Sequence, residues 1–542
     1  MPEYLDLLPS HALQLWTDAQ RTLDYAIQRY LESTMALQSS IRSSSHYDDS
    51  ICVRNTLTES WLDGPPVPDK HAKLAQAQMY LNRMRNSLQS VNTLPLEVLF
   101  RVFRFAAFRT FHSQYNTPIP FSYQRDDHQD LVILTHVCSD WRTALLNNPS
   151  FWSRFSIDPQ RLFESESERA QVYSIRARGS PQALYINESI DEPLFPINHP
   201  NLTNQIIVPR LDTLTQLSLL NFTDTRLVRQ TILFWLKSGN PGALRTLIIQ
   251  MHSNMTWPKP IYTGGYALAQ RAESMLSPIR TLSLRGMRFA WDSAIYQNLV
   301  VLRIGNLRSE GSPTIHQILG ILSGCPLLHT LRLYGMMIHP SYSTSPQAVY
   351  LTQLENLDLA ALSSESVGQL LPNIFPQSKD LSLRFALPSW GAEGFTVIYP
   401  FLARTNITRL FIQKCDEPEL DFVIGRCLSA LPNLHTLILD LSMQPGDACL
   451  SGFNYLDEST GRYMPQCPRL HTLYVVTGSV SVQVVQQLVE THPLMRRLRF
   501  SACYIEPFED ELRYWLKPFV DDVRFNLRLD MAALFDWYHL MN

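Results

Sequence analysis

LHTLILD, Leu434 to Asp440, carries leucines at its first, fourth and sixth positions. In an extended chain the fourth and sixth residues share one face, so the string reads as a short strand with a continuous apolar side. It is one of many. LTQLSLL begins at Leu214, LRTLIIQ at Leu244, IRTLSLR at Ile279, LVVLRIG at Leu299 and LHTLRLY at Leu328. LENLDLA follows from Leu354, KDLSLRF from Lys379, ITRLFIQ from Ile407, LHTLYVV from Leu470 and MRRLRFS from Met495, with a weaker ALYINES from Ala183. Their spacing runs from about 20 to 36 residues.

Amphipathic helical runs lie between the strings, among them TRLVRQTILFWLKSGN, IHQILGILSGC, FVIGRCLSAL and VQVVQQLVETH. Pro326, Pro432, Pro468 and Pro493 stand just before the next string, where a residue that cannot continue a helix ends one. Strand plus helix, repeated, is the unit of a leucine-rich repeat solenoid, here with irregular periods and without the usual asparagine after each strand. The expected class is α/β, with parallel strands on the concave face and helices outside. A doubly wound βαβ domain would also alternate strands and helices, but such a sheet rarely needs so many near-identical strand motifs.

Composition sets bounds. Across 542 residues, 46 basic and 49 acidic side chains leave a net charge of −3, which gives no global field for nucleic acid or an anionic membrane. Hydrophobic residues at 45% and aromatics at 11% fit a chain with a sizeable core. No apolar run is long enough for a membrane span, and the N-terminus lacks the basic-then-apolar order of a secretory signal. The eight cysteines form no C-x-x-C pair, so free thiols in a reducing compartment are expected, in the cytoplasm, the nucleus or both.

Upstream of the repeats, Trp16, Leu23, Tyr30 and Leu37 recur every seven residues, with Ala19, Ile27 and Ile41 in a second row. This predicts an amphipathic helix within 1–45, folded onto its own chain or pairing as a coiled coil. A Ser- and Pro-rich linker is expected over 46–69 and a second helix over 70–91. A small helical domain is expected over 92–157, the repeat solenoid over 158–503 and a C-terminal cap over 504–542, where Trp515, Phe535 and Trp537 would hide the open end.

The helical domain reads VNTLPLEVLFRVFRF from Val91, then a polar insert, then LTHVCSDWRTALLNNPSFWSRF from Leu134. Pro95 suits the first helical position and Glu97 complements the helix dipole. Leu96, Leu99 or Phe100, and Phe103 make one apolar face, with Val98 and Val102 beside it. Leu134, Val137, Cys138, Trp141 and Leu145 continue a stripe at helical spacing along a second helix.

Leu94-Pro95-Leu96-Glu97-Val98-Leu99, then Val102-Phe103, Val137-Cys138, Trp141-Arg142, Asn148-Pro149 and Trp152 together resemble the F-box. The insert between its first two helices is longer than is usual there. Helix, F-box and degenerate repeats in that order resemble fungal F-box proteins with a leucine-rich-repeat-like C-terminal domain. The resemblance implies a substrate-recognition adaptor of an SCF-type ubiquitin ligase, in which the F-box docks to a Skp-type adaptor and thereby joins a cullin and its RING subunit. By motif position Leu94, Pro95, Leu96, Val98, Leu99, Val102, Val137, Cys138 and Trp141 contact or support that adaptor. Trp141 serves equally well as core of the small domain, and Trp152 is expected as a plug against the first repeat. The alternative is a leucine-rich-repeat interaction scaffold that delivers no substrate to a cullin.

Strand alternation sends the third, fifth and seventh residues of each string to the concave face. That places Arg285, Arg303, Arg332, Tyr334, Arg384, Phe411 and Tyr474 there, with Arg285, Arg303 and Arg332 expected at one position in successive units. Arginine and aromatics suit recognition of an acidic or phosphorylated protein segment. Charges kept only for solubility would leave the same pattern. His329, His435 and His471 recur in Leu-His-Thr-Leu, and are expected well apart at turn edges, not as metal ligands.

No phosphate-binding glycine loop, H-E-x-x-H or G-x-S-x-G is present. Cys138 near His136 reads as packing, and Arg125 to Asp130 as a solvated loop. The chain is expected to be no enzyme and to need no cofactor, metal, nucleic acid or membrane.

Overall fold

The computed structural model describes residues 7–43, 75–76, 86, 89–107, 111–112, 118–119, 127–158, 164–188, 207, 210–252, 259–261, 266–341, 347–359, 362–386, 391–413, 420–441, 446–506 and 509–526. The chain divides into two compact units, Met1–Phe100 and Arg101–Asn542. In the first, α1 spans Leu7–Ser43. Ala19, Leu23 and Ile27 of its predicted rows are exposed, so the described part of the helix does not bury them. The predicted linker lies outside the described residues, as does most of the second helix. A single 3-10 turn, Ser90–Thr93, leads toward the next helix.

The second unit is built on a 14-stranded sheet whose strands follow one another in unbroken sequence order. They are β1 (Arg154–Ile157), β2 (Gln182–Asn187), β3 (Leu214–Phe222), β4 (Thr246–Met251), β5 (Thr281–Arg285), β6 (Val301–Gly305) and β7 (Thr330–Tyr334). They continue with β8 (Asn356–Asp358), β9 (Leu381–Ala386), β10 (Ile407–Gln413), β11 (Thr436–Asp440), β12 (Thr472–Ser481), β13 (Arg497–Glu506) and β14 (Asp522–Asn526). Neighbouring strands are parallel from β1 to β14. A doubly wound sheet reverses its order at a switch point. This one never reverses, which makes it a repeat solenoid of the leucine-rich type.

The register follows from the leucines. Leu217, Leu247, Leu282, Leu302, Leu331 and Leu357 stand opposite one another in turn. Leu383, Leu410, Leu437, Leu473 and Leu498 extend the line. All are fully buried. Each contributes about 1.5–3 kcal/mol relative to exposure. A slip of one residue would turn this spine outward, so the register is tightly specified.

The flanks of each strand complete the unit. Asp224 caps the helix Thr225–Ser238 by accepting from the Arg226 amide at 2.7 Å, and that helix buries Leu227, Val228, Ile232, Trp235 and Leu236. Thr314 and Gln317 form a reciprocal capping box on Ile315–Ser323. At the strand exits Asn306 and Gly335 take left-handed backbone, and a Cβ on Gly335 would come within 2.6 Å of the Asn306 side chain.

Every leucine string lies on a strand of the sheet. The two strands without one, β1 and β14, are its ends. The sheet therefore starts within the segment expected to be helical domain and runs past residue 503. Three small pairs stand apart from it: Phe111–His112 with Pro118–Ile119, Val349–Leu351 with Ile374–Pro376, and the hairpin Asn454–Asp457 with Arg462–Pro465. Among the described residues no helix is long and apolar enough to cross a membrane, and the described cysteines are free thiols.

Candidate functional site

The helix α2, Leu96–Ala107, begins one residue later than the sequence suggests. Pro95 precedes it and offers its carbonyl to the amides of Val98 and Leu99, both at 3.0 Å. Glu97 lies in the first turn as expected. One face is core: Leu99, Phe103 and Ala107, spaced i, i+4, i+8, are buried. A second apolar face is not covered. Val98, Val102 and Phe105, spaced i, i+4, i+7, are 42%, 42% and 83% exposed. Leu94, Pro95 and Leu96 are exposed as well. Phe105 was invisible to a reading that looked for one apolar face per helix.

The stripe from Leu134 to Leu145 is not one helix. It breaks at Cys138, whose backbone is extended, into α3 (Asp127–Val137) and α4 (Ser139–Leu146). Cys138 acts as the cap of α4, its Sγ accepting from the Trp141 amide at 3.5 Å. Arg142 ties the two helices by donating from Nε to the Thr135 carbonyl at 2.9 Å. Apolar spacing ran unbroken through the cap because a cysteine serves in either place. Val137 is exposed with Val132 and Ile133 on α3, whereas Cys138 and Trp141 are half-buried.

Trp141 packs edge-on to Phe103, ring centroids 4.7 Å apart, and Phe103 reaches Phe151 at 6.3 Å. Trp152 is buried. Its indole Nε1 donates to the Leu145 carbonyl at 2.9 Å, and its ring meets Tyr173 at 4.9 Å. Tyr173 lies on α5, Glu164–Ala177, between β1 and β2. Trp152 thus joins α4 to the first repeat, as its position implied. Of the insert, Phe111–His112 pairs with Pro118–Ile119; Arg125 and Asp126 lie outside the described residues, and Asp127 to Asp130, expected as loop, form the first turn of α3.

On the sheet, the expected alignment of three arginines is corrected by the register. Arg303 and Arg332 are opposite one another, but Arg285 faces Gly305, and Ser283 takes the place beside Arg303. The offset arises because the string from Ile279 carries its arginine two residues further on. The row then runs Arg303, Arg332, Asp358, Arg384, Phe411, Ile438, Tyr474. These side chains do not stand open to solvent: Arg285, Arg303, Arg332, Arg384, Phe411 and Tyr474 are all buried, and only Tyr334 is half-buried.

Burial explains the internal pairing. Asp358, 0% exposed, is ion-paired with Arg332, whose Nε lies 3.1 Å from its carboxylate, and accepts from Arg384 Nη1 at 3.5 Å. Arg384 Nη2 also donates to Gln413 Oε1 at 2.9 Å. The Arg332 guanidinium lies 4.7 Å over Tyr334, Arg384 4.7 Å over Phe411 and Arg499 5.1 Å over Tyr474. Burial, and then the Arg332 charge, push the Arg303 guanidinium down to about 10. The anion that such a row of cations calls for is supplied by the chain itself, in Asp358.

The histidines also differ from expectation. His435 and His471 precede adjacent strands and touch, ring centroids 5.3 Å apart. Sequence distance misled here, since one whole repeat advances the chain by a single strand spacing. His329 instead pairs with Glu355 at 2.8 Å. Among the described residues no group of three or more His, Cys, Asp and Glu could hold a metal ion.

No family model and no curated protein matches the sequence. Among solved structures, the chain is similar to the leucine-rich repeat-containing protein LegL7 from Legionella pneumophila, at 11% identity over 65% of this chain and 91% of that one, with a TM-score of 0.30. It is likewise similar to a protein from Bacteroides fragilis, at 12% identity over 59% and 76%, with a TM-score of 0.31. The fold assignment rests on strand order and register.

Proposed function

We propose that this chain is a non-catalytic substrate-recognition adaptor of an SCF-type ubiquitin ligase, docking through its F-box-like segment to a Skp-type subunit and holding a protein target on the repeat array. One observation carries the reading. α2 keeps two apolar faces, one buried and one exposed, and the exposed face falls within the motif that resembles an F-box. A helix that needed only to fold would place charge at Val98, Val102 and Phe105.

Leu94, Pro95, Leu96 and Val98 are the proposed adaptor contacts of the first unit, and Val102 and Val137 those of the second. Leu99, Cys138 and Trp141 support them: Leu99 is core, Cys138 caps α4 and Trp141 braces Phe103. On the repeats, Tyr334 meets the target, while Arg285, Arg303, Arg332, Arg384, Phe411 and Tyr474 fix the inner face beneath it. Co-purification tests the proposal, with Pro95→Glu and Leu96→Glu as the control. Recovery of both the Skp-type subunit and the cullin with the native chain, lost in the variant, supports it. Recovery of neither leaves the scaffold reading.

A further inference from the structure

One group of cations that reaches solvent lies along the rim where β10 to β13 begin. Arg409 is the third residue of β10 and is half-buried. His435 and His471 precede β11 and β12 and are half-buried, while Arg469, Arg496 and Arg497 are exposed. The backbone fixes the row, because the His471 amide donates to the His435 carbonyl at 2.9 Å and the Arg496 amide to the His471 carbonyl at 2.8 Å. His435, His471 and Arg496 are therefore one strand spacing apart, about 5 Å, while Arg409 and Arg497 stand on the neighbouring rung with Thr436 and Thr472 between them.

This rim is held in place. Arg469 Nη1 donates to Asn433 Oδ1 at 2.6 Å, and Asn433 Nδ2 donates to Asn406 Oδ1 at 2.8 Å. Asn406 in turn donates to the Lys379 carbonyl. The His471 imidazole is fixed as well, its Nδ1 lying 2.6 Å from the Arg469 carbonyl. A charge kept for solubility alone gains nothing from being pinned, since pinning costs a long side chain its rotamer freedom. Pinning instead prepares a surface for a rigid, complementary partner. Acidic groups border the rim: Asp380 bears on His435, Asp521 lies 3.8 Å from Arg496, and Asp522 stands opposite Arg497 on β14. Burial first, then His471 and Arg469, lower the His435 imidazole below its ordinary range against an opposing pull from Asp380, so His435 stands in the rim as a neutral imidazole.

We propose that the rim formed by Arg409, His435, Arg469, His471 and Arg497 binds an acidic, extended segment of a protein partner. Repeats at strand spacing suit carboxylates carried along an extended chain, and charge complementarity selects Asp- and Glu-rich sequence. The inference deepens the reading of the repeat array as the target-binding surface and moves its charged contact from the buried row to the rim. It does not depend on adaptor docking.

The test is fluorescence anisotropy of a labelled hexaglutamate peptide with the full-length chain in low salt, and with no Skp-type subunit present. Saturable binding is expected, weakened about tenfold by Arg469→Ser with Arg497→Ser, as loss of charge-assisted hydrogen bonds requires. Asn433→Ala, which keeps every charge but frees Arg469, should weaken it by a smaller factor. The imidazole resonances of His435 and His471 should shift on titration with the peptide. No saturable binding, equal affinity in the double serine variant, or tighter binding of oligothymidylate than of hexaglutamate overturns the proposal. A chain that binds hexaglutamate but not the Skp-type subunit keeps this inference and loses the ligase reading.

Discussion

Replacing Asp358 by Asn removes the one carboxylate found between Arg332 and Arg384 while keeping its volume. Both guanidinium groups sit within 3.5 Å of it, and all three side chains are buried. The variant leaves two buried cations facing a neutral amide, and breaking a buried pair from one side costs about 3–5 kcal/mol. Urea unfolding followed by circular dichroism reads this as a lower midpoint at unchanged slope. Because a solenoid is stabilised between nearest neighbours, amide exchange should quicken first in β7, β8 and β9. The triple variant Arg332→Met, Asp358→Leu, Arg384→Met should recover most of the loss, since apolar residues of similar volume replace buried ion pairs at little cost. A loss below about 1 kcal/mol in Asp358→Asn would refute the view that this carboxylate holds the row together.

Two further outcomes follow from the geometry. Trp152→Phe removes the indole bond to Leu145 and part of the contact with Tyr173, for an expected loss of about 2 kcal/mol in unfolding free energy, with protease cleavage between α4 and β1 as a second readout. His492, buried at the end of the helix Val482–Thr491, lies with Nδ1 2.9 Å from the Leu488 carbonyl and Nε2 3.6 Å from Cys467 Sγ. Burial holds this imidazole below its ordinary range, so the unfolded chain takes up the proton first. Stability contributed here is full above about pH 6.5 and falls as pH drops below it, and His492→Gln should flatten that part of the thermal-unfolding profile.

How much of this was written in the sequence differs from one feature to the next. The leucine spine was legible, because burial demands apolar side chains at fixed strand positions and leaves the same letters in each repeat. β1 and β14 were not, since a terminal strand has a neighbour on one side only and RFSI and DVRFN carry no leucine pair. The helical spacing of Leu99 and Phe103 could be read, but not the break at Cys138, where a capping thiol and a core thiol look alike. Relations across the sheet were hardest. Arg285 fell out of the row, and His435 met His471, because irregular loop lengths conceal which residues share a rung. The burial of Arg332 and Arg384 was equally hidden, since strand alternation predicts a face and not what encloses it.

The ligase account is tested most directly by titrating the purified full-length chain with a purified Skp-type subunit in a calorimeter, alongside Val98→Glu with Val102→Glu. The account predicts a one-to-one complex for the native chain and an affinity lower by at least about a hundredfold in the variant, as for paired losses at an interface centre. Absence of any complex with the native chain, or equal affinity in the variant, would contradict it.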